Sequence, residues 1–333
     1  MNMLIARTAL SALALVAGAA AAFGPTGHHT IGAIADRLIA GTRAAAEVQA
    51  LLGGLTLEQA AVWADCAKGV SEFTLQYEKT GVHAECAIFE SPDGRSAMED
   101  FAARNNRQCQ PAPGDEICHK GYHYTDIAVQ HATYDSGLVG ARAADLVGAM
   151  TAALIVLQGG PPPAPFNLKN RREALLVLTH YVGDIHQPLH VGAVYLNAAG
   201  GRINPDIGTY KPATFTRGGN QLLIGGDPKA KLHAAWDAVP PALAPSRADA
   251  LAAVAKGIPI TAASLPDWPQ AWASETLKDA HKAFAGITFG PKTGSTWPVT
   301  LPPGYDQRMT TIKTGRVEAA GARLAQILQS LWP

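Results

Sequence analysis

The stretch His180 to His190, HYVGDIHQPLH, carries three histidines and an aspartate within eleven residues. Imidazole and carboxylate without thiolate suit zinc or a similar divalent ion. His180 and Asp184 stand four apart, so on a helix they share one face and reach a single ion. Pro188 ends that helix and turns the chain, which lets His190 approach from another direction. The same spacing returns in LHAAWD, where His233 and Asp237 are again four apart. Further candidates lie in short polar motifs between apolar segments: His28 in GPTGHH, Asp65 in VWADCAK and His123 in GYHYTD. A lone histidine on an amphipathic helix reads more readily as a satisfied or solvent-facing side chain than as a ligand, and either His/Asp pair equally well as a helix-stabilising contact; it is the recurrence that points to metal. His29, His119 and His186 read as non-ligands, His186 pointing away from the metals and bracing the turn at Pro188.

The elements that must hold these groups are helical. Apolar residues recur at three and four in TIGAIADRLIAGTRAAAEVQALLGG, TLEQAAVWADCAK, ARAADLVGAMTAALIVLQGG, NRREALLVLTHYVGDIHQ, PKAKLHAAWDAV and VEAAGARLAQILQSLW. Glycine or proline follows several of them and supplies stops. Strand patterns are few and short, so the predicted fold is all-α, a single domain with long irregular loops. Those loops are expected between Val70 and Lys120 and from Val194 to Asp227, where periodicity gives way to Gly, Pro and Asn.

The chain has 333 residues, 47% hydrophobic, with 27 basic and 27 acidic side chains. A protein binding nucleic acid through a broad Lys/Arg surface would be more basic, so positive charge for a phosphate substrate must come from another source, and bound metal is one. After Arg7 the run Ala9 to Ala22 is short, alanine-rich and ends in small residues, as a cleavable export signal does. Ala20 and Ala22 fit the positions before the cut, residues 1–22 are the predicted leader, and Phe23 becomes the mature N-terminus. No later apolar run is long enough for a second anchor. Four cysteines, Cys66, Cys86, Cys109 and Cys118, in an exported chain predict two disulfides. Three connectivities are open; the Pro/Gly-rich loop between Cys109 and Cys118 favours joining those two and leaves Cys66 for Cys86. The absence of an Asn-x-Ser/Thr acceptor after the leader suits a bacterial secreted or periplasmic protein.

Taken in order, FGPTGHHTIGAIA, VWADCAK, YHYTD, HYVGDIHQPLH, RGGNQL and LHAAWD resemble the S1/P1 nucleases, zinc-dependent extracellular phosphodiesterases that also act as 3′-nucleotidases. The resemblance spans essentially residues 23–333 and implies the fold shared by phospholipase C and P1 nuclease. It also implies three Zn2+ ions. Asp65, His123, His180 and Asp184 would hold one. The amino group and carbonyl of Phe23, His28 and a bridging Asp184 would hold the second, and His190, His233 and Asp237 the third. A mature amine is needed for the second site, so leader removal would complete it. Family members usually begin with tryptophan where this chain has Phe23, which puts the packing of the terminus in question but not its ligating atoms. The loop carrying Cys86, Cys109 and Cys118 also departs from the eukaryotic pattern.

The resemblance further implies that Asp65, Lys68 and Asp184 serve catalysis, with Lys68 touching phosphate. Tyr124 would stack on a base and Asp126 bond its edge, although Tyr124 as a core ring is the open alternative. Asn220 would shape the rim of the cleft. Water between two zinc ions would attack the phosphodiester, the third ion neutralising phosphate oxygens. Substrates would be single-stranded DNA or RNA and 3′-nucleotides, acted on by a monomer away from membranes. Two rival readings remain: a zinc-dependent phospholipase C, in which the second helical pair ends in glutamate at a different spacing, and an exported zinc-binding protein without catalysis.

Overall fold

The computed structural model describes residues 23–107 and 116–333. The predicted leader and Cys109 lie outside them. The architecture is all-α with a few strands of two to four residues, as the periodicity predicts.

At its centre is the helix Arg171–Asp184, buried on every side from Glu173 to Asp184. A helix that is enclosed all round belongs in the core, and this one packs against the helices Gly24–Ile39, Arg43–Leu52, Trp63–Ala67, Leu146–Leu157 and Tyr305–Leu331. Its start is set by Asn170, whose side chain accepts from the Glu173 N–H at 2.9 Å, satisfying one of the first-turn donors. The helix ends at Asp184, four residues before Pro188. Pro188 therefore does not terminate it; it opens a further helical turn, Pro188–Val191, at the position where a missing N–H costs least. That turn carries His190.

Two segments are more regular than predicted. The span expected to be irregular after Val70 contains the helix Pro92–Arg107, whose buried face is Met98, Phe101, Ala102 and Asn105. The stripe has helical spacing, but a polar residue completes it: Asn105 donates to the Phe101 carbonyl at 2.9 Å and accepts from the Tyr122 hydroxyl at 3.2 Å. Similarly, the last helix begins at Tyr305 rather than near Val317, and its added inner face is Lys313 and Arg316. Buried charges hide the period. The helices Ala248–Ala255 and Trp268–Ala283 lie outside the segments that the spacing predicts.

Short strands join the loops that carry donors. Ile127–Ala128 pairs in parallel with Gly192–Ala193, Ile127 opposite Gly192, and the Thr125 N–H donates to the His190 carbonyl at 2.8 Å. This clamps the GYHYTD loop beside the HQPLH turn. Leu222–Ile224, Trp297–Thr300 and Thr288–Phe289 form a three-stranded sheet with Trp297–Thr300 in the middle. Cys66 and Cys86 are disulfide-bonded, Cα atoms 5.6 Å apart, tying the Trp63–Ala67 helix to the turn Ala84–Phe89. Cys118 is also disulfide-bonded.

Candidate metal centre

Three elements distant in sequence converge at the end of the central helix. Asp65 comes from Trp63–Ala67, His123 from the clamped loop, His180 and Asp184 from the last turn of the helix. His123 Nδ1 lies 3.0 Å from His180 Nε2 and 2.9 Å from Asp184 Oδ2. His180 Nε2 is 3.1 Å from Asp184 Oδ2 and 3.6 Å from Asp65 Oδ1, and His123 Nδ1 is 3.7 Å from the same Asp65 oxygen. Four donors around one zinc ion at about 2.0–2.1 Å stand roughly 3.3 Å apart along the edges of the tetrahedron. The five separations bracket that value.

Asp184 turns its other oxygen to a second group. Oδ1 is 3.4 Å from His28 Nε2, and the His28 ring stacks on His180 with centroids 3.8 Å apart. Gly183 permits the approach, since a Cβ there would lie 2.6 Å from His28 Nδ1. Phe23, five residues before His28, is fully buried with φ 38°, and its carbonyl accepts from the Gly27 N–H at 3.0 Å, leaving one lone pair on that oxygen. The third group joins His190 to the helix Leu232–Asp237. His190 Nε2 is 3.9 Å from Asp237 Oδ1, His233 Nε2 is 3.5 Å from Asp237 Oδ2, and the two rings stack at 5.0 Å.

Backbone carbonyls aim the imidazoles. The Nδ1–H of His180 donates to Ala61 at 2.6 Å, that of His190 to His123 at 2.7 Å and that of His233 to Gly218 at 2.7 Å, so each Nε2 turns a lone pair inward. These acceptors leave no mark in the sequence. His28 Nε2, Asp65 Oδ2, Asp184 Oδ1, His190 Nε2 and Asp237 Oδ2 are buried and make no hydrogen bond. Buried acceptors of this kind are costly unless something electropositive satisfies them, and the donor set fits divalent cations.

Electrostatics keeps most of the donors in ligating form. Burial pushes the His123 and His190 imidazoles down to about 4 and about 3. Burial raises the Asp184 carboxyl, but His180 and His190 outweigh it and hold it well below the usual range. Asp65 behaves likewise, with Lys68 the largest opposing influence. Two donors depart from this trend: burial pushes Asp237 up to about 6, and the Asp184 and Asp65 carboxylates raise His180 against the effect of its burial.

The first and third groups open onto a cleft of about 760 Å³ lined by Lys68, His123, Tyr124, Asp126, His190, Asn220 and His233. Lys68 Nζ is 2.8 Å from Asp65 Oδ1. The half-buried Tyr124 donates from its hydroxyl to Glu116 at 3.3 Å and has the Arg142 guanidinium 5.0 Å above its ring. Asp126 is buried, and the half-buried Asn220 donates to the Arg217 carbonyl at 3.2 Å. Lys120, Arg142, Arg217 and Lys231 also line the cleft and escaped the sequence reading, being scattered single cations. Gln187 escaped it as well, despite lying inside the richest motif. Among the described residues, His29, His119 and His186 belong to none of the three groups. His29 donates to Glu58 and His119 pairs with Asn106, while His186 donates to Val182 and accepts from Arg323.

A helical fold with three adjoining His/Asp groups beside a cleft that carries five Lys/Arg side chains defines a candidate metal centre within reach of an anionic ligand. The model of the S1/P1 nuclease family matches residues 23–332, and the chain belongs to that family. No curated protein matches it. The protein is thus a nuclease-type hydrolase of phosphodiester bonds from a zinc-dependent family. No helix among the described residues is long and apolar enough to cross a membrane.

Proposed function

We propose that residues 23–333 form one exported catalytic domain that hydrolyses single-stranded DNA and RNA endonucleolytically and removes phosphate from 3′-nucleotides. The observation that carries this reading is the sharing of Asp184 between two donor groups, beside a third, beneath one cleft. Asp65, His123, His180 and Asp184 would hold one zinc ion; the Phe23 amine and carbonyl, His28 and Asp184 a second; His190, His233 and Asp237 a third. Zinc so held would supply an acidified water and charge neutralisation for phosphoryl oxygens near neutral pH.

The chain's own residues do the rest. Lys68 stays cationic through its pairing with Asp65 and faces the cleft, where it would contact phosphate. Tyr124 offers a ring to an unpaired base and Asp126 a carboxylate to the base edge, which favours single strands. Asn220 borders the rim. Replacing Tyr124 by Ala is expected to weaken oligonucleotide binding by about 1–3 kcal/mol without changing zinc content; unchanged binding would show that the ring only packs. Export through the 1–22 leader would deliver Phe23 as a free amine, and the complete burial of Phe23 supports a terminus folded into the site.

The test is zinc content and hydrolysis of single-stranded DNA for protein beginning at Phe23 beside protein with one extra N-terminal residue. Three ions with activity in the first, and loss of one ion and most activity in the second, are expected. Equal zinc and equal activity would remove the N-terminal ligand. Turnover of a choline phospholipid in place of DNA would favour the phospholipase reading, and full zinc with no ester hydrolysis the storage reading.

A further inference from the structure

We infer that Gln187 is the positioning residue of the third donor group, holding Asp237 and His190 in one geometry through opposite ends of its side-chain amide. This rests on the proposed assignment of those two residues as ligands. Gln187 is fully buried. Its Oε1 accepts from the Leu189 N–H and caps the turn that carries His190, while its Nε2 donates to Asp237 Oδ1 at 2.7 Å. The orientation of the amide is forced: reversed, it would set NH2 against N–H and oxygen against carboxylate. With Oδ1 engaged, Asp237 Oδ2 is left without a hydrogen bond, 3.5 Å from His233 Nε2.

Capping alone does not account for this residue. Turn caps are ordinarily Ser, Thr, Asp or Asn, whose side chains are too short to serve the Leu189 N–H and also span to a separate helix. Glutamine has the reach and, unlike glutamate, both an acceptor and a donor. The end of the helix that carries Asp237 is anchored by Lys313, which donates to the Ala235 and Ala238 carbonyls at 2.6 and 2.5 Å. With the helix end fixed, the Gln187 amide governs the remaining freedom, rotation of the Asp237 carboxylate.

Two substitutions separate positioning from packing. Gln187→Glu keeps an acceptor for the Leu189 N–H and loses the donor to Asp237; Gln187→Met keeps the volume and loses both. Zinc affinities are measured by chelator competition on the full mature chain, together with the melting temperature of metal-free protein. The ion that disappears in His190→Ala is expected to bind about 10- to 100-fold more weakly in both variants, with Gln187→Glu at least as impaired as Gln187→Met and the remaining ions unchanged. Wild-type affinity in Gln187→Glu would overturn the inference, because the amide would then be only a cap. So would an even loss across all ions that tracks a fall in melting temperature. A wild-type chain that binds zinc but cleaves no phosphodiester would sink the functional reading and leave this comparison intact, since it is read on affinity alone.

Discussion

Asp184 is fully buried and turns one oxygen to His123 and His180 and the other to His28. Changing it to Asn keeps the shape but removes the charge that two cations would share. Asp184→Asn is therefore expected to lose two zinc ions by elemental analysis and at least about 100-fold in hydrolysis, beyond what outer-shell changes cost; full activity would refute the bridging role. The third group has a pH signature. In metal-free protein His190 is neutral well below neutrality, whereas burial raises Asp237 to about 6. The carboxylate must be ionised to ligate. Above about 7 its proton is gone and affinity is flat; below about 6 each cation must displace a proton, so affinity falls about tenfold per pH unit. Chelator competition at pH 5 and pH 7 checks this, and equal affinities would remove Asp237 from the ligand set.

At the scale of elements, the site depends on how closely backbones approach. The helix Gly24–Ile39 brings His28 against the central helix only because Gly183 has no side chain, a Cβ there reaching 2.6 Å from the His28 ring. Gly183→Ala should cost about 1–3 kcal/mol by overpacking and displace His28, so zinc content should fall by one ion while Asp65, His123 and His180 keep theirs. A variant that melts lower but binds all its zinc would show that His28 is not a ligand. At Gly218 the backbone takes φ 54°, a Cβ would meet the Leu189 carbonyl at 2.6 Å, and its own carbonyl holds His233. The RGGNQL motif thus contributes a backbone acceptor as well as a rim.

Across the whole molecule the formal charge is zero, yet Lys68, Lys120, Arg142, Arg217 and Lys231 gather around one cleft. Glu116 and Asp126 line it too, so the field favours a strand that follows the cations rather than any polyanion. Binding of a single-stranded oligonucleotide should weaken with salt, the logarithmic slope falling by roughly 0.7 for each phosphate contact removed. Lys231, exposed at the rim, is the cleanest case: Lys231→Ala should reduce the slope by about 0.7 and leave zinc content unchanged. An unaltered slope would place the strand elsewhere.

Helical fold and donor chemistry were legible in the sequence because both are local properties. The three-and-four spacing of apolar residues marks most helices whose inner face is apolar, though not Ala248–Ala255, a helix of two turns between proline-rich segments, and His180/Asp184 and His233/Asp237 show their shared face at sight. Where polar or charged residues complete that face, as Asn105, Lys313 and Arg316 do, local pattern failed. Grouping the donors in sequence required the family resemblance, since nothing in the spacing says that His123 meets His180 or that Asp184 divides its oxygens. Tertiary structure decided those separations, along with the carbonyls of Ala61, His123 and Gly218 that aim the rings, the direction of each buried pKa shift and the reach of Gln187 to Asp237. Such properties depend on atoms brought together from 15 residues apart, as His233 is with Gly218, up to 119, as His180 is with Ala61, and residue types along a chain do not encode distance.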